Sequence, residues 1–191
     1  MAIIDSSGRV VILLLSAFVL FGCEDWKPAE VTKEKGKEME IEVTSPAFGE
    51  GEMIPAEYTA DGRNISPPIE WTAGPEGTKS FALINDDPDA PMGTWVHWVV
   101  YNIPADVTSL EENVLPEETL ANGAMQGTTD FGRIGYGGPA PPSGTHRYFF
   151  KVYALDTMLD LPTGATKSQV ESAMDGHILA EGQLVGKYSR R

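Results

Sequence analysis

The chain has one cysteine, Cys23, in 191 residues, so no disulfide can form within it. Histidine is nearly as scarce, with three residues, and two of them, His97 and His146, fall beside polar loops. Basic residues are also few: 14 Lys and Arg stand against 28 Asp and Glu, a formal net charge of −14. That balance excludes a nucleic-acid partner, whose phosphates such a surface repels unless a basic patch concentrates the opposite sign, and no such patch is visible. No apolar run reaches the roughly 20 residues of a transmembrane helix; the apolar run nearest the N-terminus is Val10 to Phe21, with no charge in it. Internal repeats are absent.

What is present begins with that short run. Its length suits the apolar region of a secretory signal, with Gly22 as the small residue before a cut. The segment Leu20-Phe21-Gly22-Cys23 resembles a bacterial lipobox. The resemblance implies lipidation of Cys23, removal of residues 1–22 as a signal peptide, and a membrane-anchored lipoprotein outside the cytoplasm, in the cell envelope. Asp5 offsets Arg9, and Phe21 is bulkier than is usual there, so an uncleaved anchor is the alternative. Residues 23–39 are rich in Glu and Lys and poor in apolar residues, and read as a flexible charged tether; an exposed helix held by Glu-Lys pairs is the alternative, interrupted by Pro28 and Gly36.

From Glu40 the pattern changes to short strands punctuated by some of the chain's 20 glycines and 14 prolines, and residues 40–191 are long enough for one ordinary core. Ser80 to Ile84 predicts a strand, Trp95 to Tyr101 a second, and His146 to Asp156 a third of central character. On the third, His146, Tyr148, Phe150 and Val152 share a face, so polar groups at the strand's start give way to hydrophobes. Alternation on the second places Trp95, His97, Val99 and Tyr101 on one face and Val96, Trp98 and Val100 on the other. Thr166-Lys167-Ser168-Gln169 has the form of a capping box before a helix over Lys167 to Met174. The Glu-rich stretch through Glu118 reads as a polar excursion with room for a short helix, and His177 to Tyr188 as a final helix or strand.

Between the first two strands lies Asn85-Asp86-Asp87-Pro88-Asp89-Ala90-Pro91. Three carboxylates in four positions cannot enter a packed interior without partners, so they are expected at a loop or pocket rim, with Asp86 a solvated turn residue. Arg147, opposite His146, is positioned to pair with one of them. A carboxylate within reach favours the charged form of a histidine, so Asp87 could hold His97 or His146 as a cation for an anion. Tyr148 can add a hydroxyl donor, and N–H groups of the long glycine-rich loop over residues 123–144 can approach closely. Phe131 and Tyr136 argue that this loop is ordered. His177 reads as structural.

Two separated segments, Asp86-Asp87-Pro88-Asp89-Ala90-Pro91 leading to Trp95-Val96-His97-Trp98, and Gly144-Thr145-His146-Arg147-Tyr148, resemble the signature regions of the phosphatidylethanolamine-binding proteins. Asp61 to Pro68, Tyr136-Gly137-Gly138-Pro139 and Gly186-Lys187-Tyr188 are similar to the flanks of its bacterial, Raf kinase inhibitor-like branch. The resemblance implies a mainly β fold, an antiparallel β-sandwich with a few short helices. It implies a pocket for phosphate, acetate or a phosphoryl head group, lined by Asp87, His97, His146 and Tyr148. Asp89 and Pro91 would shape the loop, with Gly138 a further candidate, and no cofactor is implied. The family's inhibitor members imply a protein partner as well, which for this chain would lie in the envelope or outside the cell.

Two enzymatic readings stand beside the binding one. A Ser-His-Asp hydrolase lacks an elbow around Ser143 or Thr145. Asp87, His97 and His146 are a plausible ligand set for a metal-dependent hydrolase, without the paired spacing that would mark one. The expected protein is an anchored small-anion binder rather than an enzyme.

Overall fold

A computed structural model of the protein describes residues 40–190, and before them only the backbone of Ile3–Ile4, Val10–Val11 and Met39. The expected signal peptide, Cys23 and the tether otherwise lie outside the described residues. The chain divides into two units, Met1–Gly36 and Lys37–Arg191. In the first, β1 (Ile3–Ile4) pairs antiparallel with β2 (Val10–Val11). Among the described residues no helix is long and apolar enough to cross a membrane.

The second unit is built almost wholly from strands. In chain order these are β3 (Met39–Glu40), β4 (Val43–Thr44), β5 (Ile69–Trp71), β6 (Ser80–Asp87), β7 (Trp95–Pro104), β8 (Ser109–Leu110), β9 (Met125–Thr128), β10 (Thr145–Leu155), β11 (Gly164–Thr166) and, after helix α1 (Lys167–Met174), β12 (Ile178–Ser189). Seven form one sheet in the order β11-β9-β7-β6-β10-β12-β3, and three form another in the order β4-β5-β8. All the pairings are antiparallel except β11 with β9 and β12 with β3. The expected mainly β fold is what the chain adopts. The last segment is a strand, and the capping box closes α1 as read, with Thr166 and Gln169 bonding reciprocally.

The large sheet has apolar layers on both faces. On one, Phe81, Leu83, Trp98, Val100, Phe150 and Val152 pack with Val43, Ile69, Trp71 and Leu110 of the small sheet; the rings of Trp71 and Phe81 meet edge-on at 5.7 Å. On the other, Ala82, Ile84, Val99, Tyr101 and Leu155 pack with Val170 and Met174 of α1. Sandwiched in this way, β6 is buried at every position from Ser80 to Asp87.

Three expectations are corrected here. Asp86 is not a solvated turn residue: it ends β6 at 1% exposure, tolerated because Lys151 Nζ lies 3.0 Å away and Lys167 also reaches it. The strand thus runs on into the acidic stretch, and only Pro88 onward forms the loop. The region before Glu118 holds no helix, because the Asn113 and Val114 N–H groups are taken by the Ser66 carbonyl and hydroxyl, and Asn113 itself is left-handed (φ 61°). Strict alternation along β7 also fails. The pairing with β6 steps from Asn85↔Trp98 to Asp86↔Val96, leaving His97 as the extra residue of a bulge. The bulge restores Val96 to the side of Val99 and Tyr101 and brings His97 round to Trp98 and the β10 side chains.

Candidate functional site

The bulge on β7, the end of β6 and the start of β10 are adjacent in the sheet, so their side chains converge. His146 Nδ1 and Asp87 Oδ2 are 2.7 Å apart, and both residues are buried. A carboxylate only accepts, so Nδ1–H of His146 is the donor and its Nε2 is left for other partners. The other Asp87 oxygen accepts the Asp89 N–H at 2.8 Å. Asp87 is therefore committed to orienting His146 and closing its own turn.

His97 is held by backbone rather than by carboxylate. Its Nδ1 donates to the Gly137 carbonyl at 2.6 Å, and the Gly137 N–H donates back to the His97 carbonyl at 2.9 Å. Phe131 and Tyr148 set their rings edge-on to the imidazole, at 5.3 and 5.1 Å. Burial pushes the His97 pKa below its usual 6.5, more than the Gly137 bond and the nearby Asp87, Asp86 and Asp130 charges can restore. Asp87 thus holds His146 and not His97, and burial disfavours the charged form of the His97 ring.

Tyr148 is fully buried, and its hydroxyl has no hydrogen-bond partner. The Ala140 backbone lies near enough to pull slightly on its pKa without meeting hydrogen-bond geometry. Burial first, and then the Asp87 charge, keep the phenol protonated far above neutral pH. A buried unpaired donor is uncommon and calls for a partner.

These groups face a cavity of about 260 Å³, walled by the Ala90-Pro91-Met92 loop, Trp95, Phe131 and the Ala140-Pro141-Pro142 segment. Of the residues singled out in the sequence, Asp87, Pro91, His97, His146 and Tyr148 all line it. Asp89 does not: it binds Arg147 through Nε at 2.8 Å and a terminal nitrogen at 2.7 Å, which draws its carboxyl down to about 2. Arg147 so pairs as its position suggested, and the pair braces the loop from outside. Gly138 is not in the wall either. Its N–H is spent on Asn64 Oδ1 at 2.7 Å, and a Cβ there would lie 2.7 Å from that oxygen and from the Tyr58 carbonyl. The glycine loop reaches the site through the Gly137 carbonyl, which holds His97. His177 lies elsewhere, paired with Asp156 at 2.7 Å on the surface.

Sequence reasoning missed Met92, Trp95, Phe131 and the Ala140-Pro142 segment as wall residues. Phe131 carries a signal, an isolated aromatic in a glycine-rich loop, and its ring closes the cavity as well as ordering the loop. Among the described residues no three His, Cys, Asp or Glu side chains are grouped to hold a metal ion.

The sequence matches the family model of phosphatidylethanolamine-binding proteins over residues 44–189. It is similar to a UPF0098 protein of Methanothermobacter thermautotrophicus, 56% identical over 144 residues, covering 75% of this chain and 95% of that one. A UPF0098 protein of Aquifex aeolicus is 54% identical over 153 residues, covering 78% and 89%. Among solved structures, Escherichia coli YbcL, described as a new member of the mammalian family, superposes with a TM-score of 0.74 at 36% identity, covering 80% of this chain and 100% of that chain. A Chlamydia trachomatis structure described as a homologue in the same family gives 0.73 at 41% identity, covering 80% and 99%.

Proposed function

This chain belongs to the phosphatidylethanolamine-binding protein family, and from that premise we propose that its cavity binds a small anion, phosphate or a phosphoryl group, rather than catalysing a reaction. The observation that carries this is the Tyr148 hydroxyl, a donor that burial keeps protonated and that no protein group satisfies. An anion oxygen in the cavity supplies the missing acceptor. His146 stands beside it with Nε2 open, and Asp87 orients the ring through its other nitrogen. The molecule's net charge of −14 opposes anion entry only weakly, because salt screens distant charges over about 8 Å.

The metal-dependent hydrolase reading has less behind it. Both Asp87 oxygens already accept hydrogen bonds, so using Asp87 as a ligand would release His146.

We also propose, on the Leu20-Phe21-Gly22-Cys23 segment, that the protein is lipid-anchored outside the cytoplasm, where an envelope or extracellular protein is its candidate partner. Cys23→Ser should then move it from the membrane to the soluble fraction, and unchanged membrane retention would refute lipid anchoring.

The test of the pocket is titration calorimetry of the full chain with inorganic phosphate, before and after chelation. Saturable binding that survives chelation, and that His146→Ala and Asp87→Ala each weaken at least tenfold, is the expected result. Unchanged affinity in both variants, or binding abolished by the chelator, would sink the reading.

A further inference from the structure

A second cavity, of about 530 Å³, shares no wall residue with the first. It forms where the Asn64-Ile65-Ser66 segment, the Glu-rich excursion and the glycine loop meet. That loop gives Phe131 to the first cavity and Arg133, Ile134 and Tyr136 to this one. The excursion is pinned in place. The Ser66 carbonyl and hydroxyl take the Asn113 and Val114 N–H groups, each at 2.9 Å, and the buried Gln126 amide donates to the Leu115 and Glu117 carbonyls at 2.8 and 2.7 Å. Gly135 lets Pro116 come close, since a Cβ there would lie 2.7 Å from the Pro116 Cβ. The cavity is thus preformed, as small-molecule sites usually are.

Its polar groups are incompletely used. Ser66 is 1% exposed, and its hydroxyl, which accepts from Val114, finds no acceptor for its own hydrogen among the described residues. The Asn64 side chain accepts the Gly138 N–H through Oδ1, and its amide nitrogen donates to no group among the described residues. Asn64 and Asn113 both take left-handed φ, 56° and 61°, a conformation that in residues other than glycine clusters at ligand sites. Two charges of opposite sign complete the wall without meeting. Among the described residues Arg133 makes no ion pair, its guanidinium resting 5.6 Å from the centre of the Phe131 ring. Glu118 gives one oxygen to the Thr163 hydroxyl at 3.0 Å and keeps the other. Ile65, Val114 and Ile134, all half-buried, supply the apolar part.

We propose that this cavity binds a small zwitterion with an apolar body, a hydrophobic amino acid or a dipeptide. Its carboxylate goes to Arg133, its ammonium to Glu118 and its side chain to Ile65, Val114 and Ile134. The Ser66 hydroxyl and the Asn64 amide are donors for the carboxylate or peptide oxygens that remain. A wholly anionic ligand would set like charge against Glu118, and a neutral one would leave both charges unused. The volume suits the class, falling within the roughly 300–1,000 Å³ of small-ligand sites. None of these groups belongs to the anion cavity, so the proposal stands independently of that reading.

The experiment is calorimetry of the full chain with L-leucine, leucyl-leucine and N-acetyl-leucine amide, which keeps the apolar body and loses both charges. At least one of the two zwitterions should bind saturably, and the tighter of them shows whether the site takes a free amino acid or a peptide. The neutral analogue should bind about tenfold more weakly or worse, having lost two charge-assisted contacts. Arg133→Gln and Glu118→Gln, both at exposed positions, should each weaken zwitterion binding about three- to tenfold, less than for buried charged partners. Inorganic phosphate in excess should leave the titration unchanged. No saturable binding by either zwitterion, equal binding of the neutral analogue, or unchanged affinity in both variants overturns the proposal. Displacement by phosphate would place the zwitterion in the first cavity and overturn it as well.

Discussion

Asp86 and Asp87 are consecutive on β6 and turn to opposite faces of the large sheet: Asp87 reaches His146 at 2.7 Å, while Asp86 takes Lys151 at 3.0 Å and, beside it, Lys167 of α1. One carboxylate organises the cavity. The other fastens the helix to the back of the same strand, and the pleat keeps the two charges apart.

Asp86→Asn should destabilise the fold by about 3 kcal/mol, the lower end of the cost of breaking a buried ion pair, because both lysines retain some access to water. Urea denaturation should show an earlier midpoint with an unchanged slope. A change within 0.5 kcal/mol, about the surface-substitution range, would mean that the lysines find other partners.

Tyr148→Phe separates binding from stability. The hydroxyl has no protein partner, so its removal should leave the unfolding midpoint unchanged or slightly higher. Loss of a donor to a charged oxygen is worth about 1.5–3 kcal/mol, so phosphate affinity should drop tenfold or more. A destabilised variant with full affinity would contradict both halves.

Gly138→Ala should cost about 1–3 kcal/mol, as overpacking does, since the new Cβ would sit 2.7 Å from the Tyr58 carbonyl and from Asn64 Oδ1. Because the loop carries the Gly137 carbonyl, the His97 imidazole nitrogen shifts in NMR should move as well. Unperturbed shifts would show that the loop does not set the ring.

Stability should fall on acidification in two windows. His97 has a folded pKa below its unfolded 6.5, so the unfolded chain binds the proton first. The fold is then fully stable above about 6.5 and weakens as pH drops from there through the folded value. Asp89 behaves the same way lower down, between its usual 3.8 and about 2. Its contribution should stay under about 1 kcal/mol, since Arg147 is half exposed. Chemical denaturation from pH 8 to about pH 2 tests this, and in His97→Phe the upper window should vanish.

Much of the frame was readable residue by residue. Alternation put His146, Tyr148, Phe150 and Val152 on one face of β10, and the structure keeps them there. The capping box at Thr166 and Gln169 marked the start of α1, and the acidic stretch marked the β6–β7 connection. Each of these signals is local, needing only residues a few positions apart.

The failures share the opposite property. Asp86 looked exposed because its two lysines lie 65 and 81 positions away. His97 appeared to belong with Val99 because nothing nearby announces the bulge, which exists only in the register between two strands. Gly138 looked free because Asn64, the residue that claims its N–H, comes 74 positions earlier.

By itself, then, the sequence determined a strand-rich domain, its hairpin, its capped helix and most of the polar side chains that line its cavity. Those follow from backbone preference and from the period of apolar residues along each segment. Tertiary structure alone decided which carboxylate is buried, which histidine Asp87 holds and which nitrogen of His97 faces the cavity. These depend on hydrogen-bond partners that only packing brings together, and a buried polar group is defined by the partner it finds.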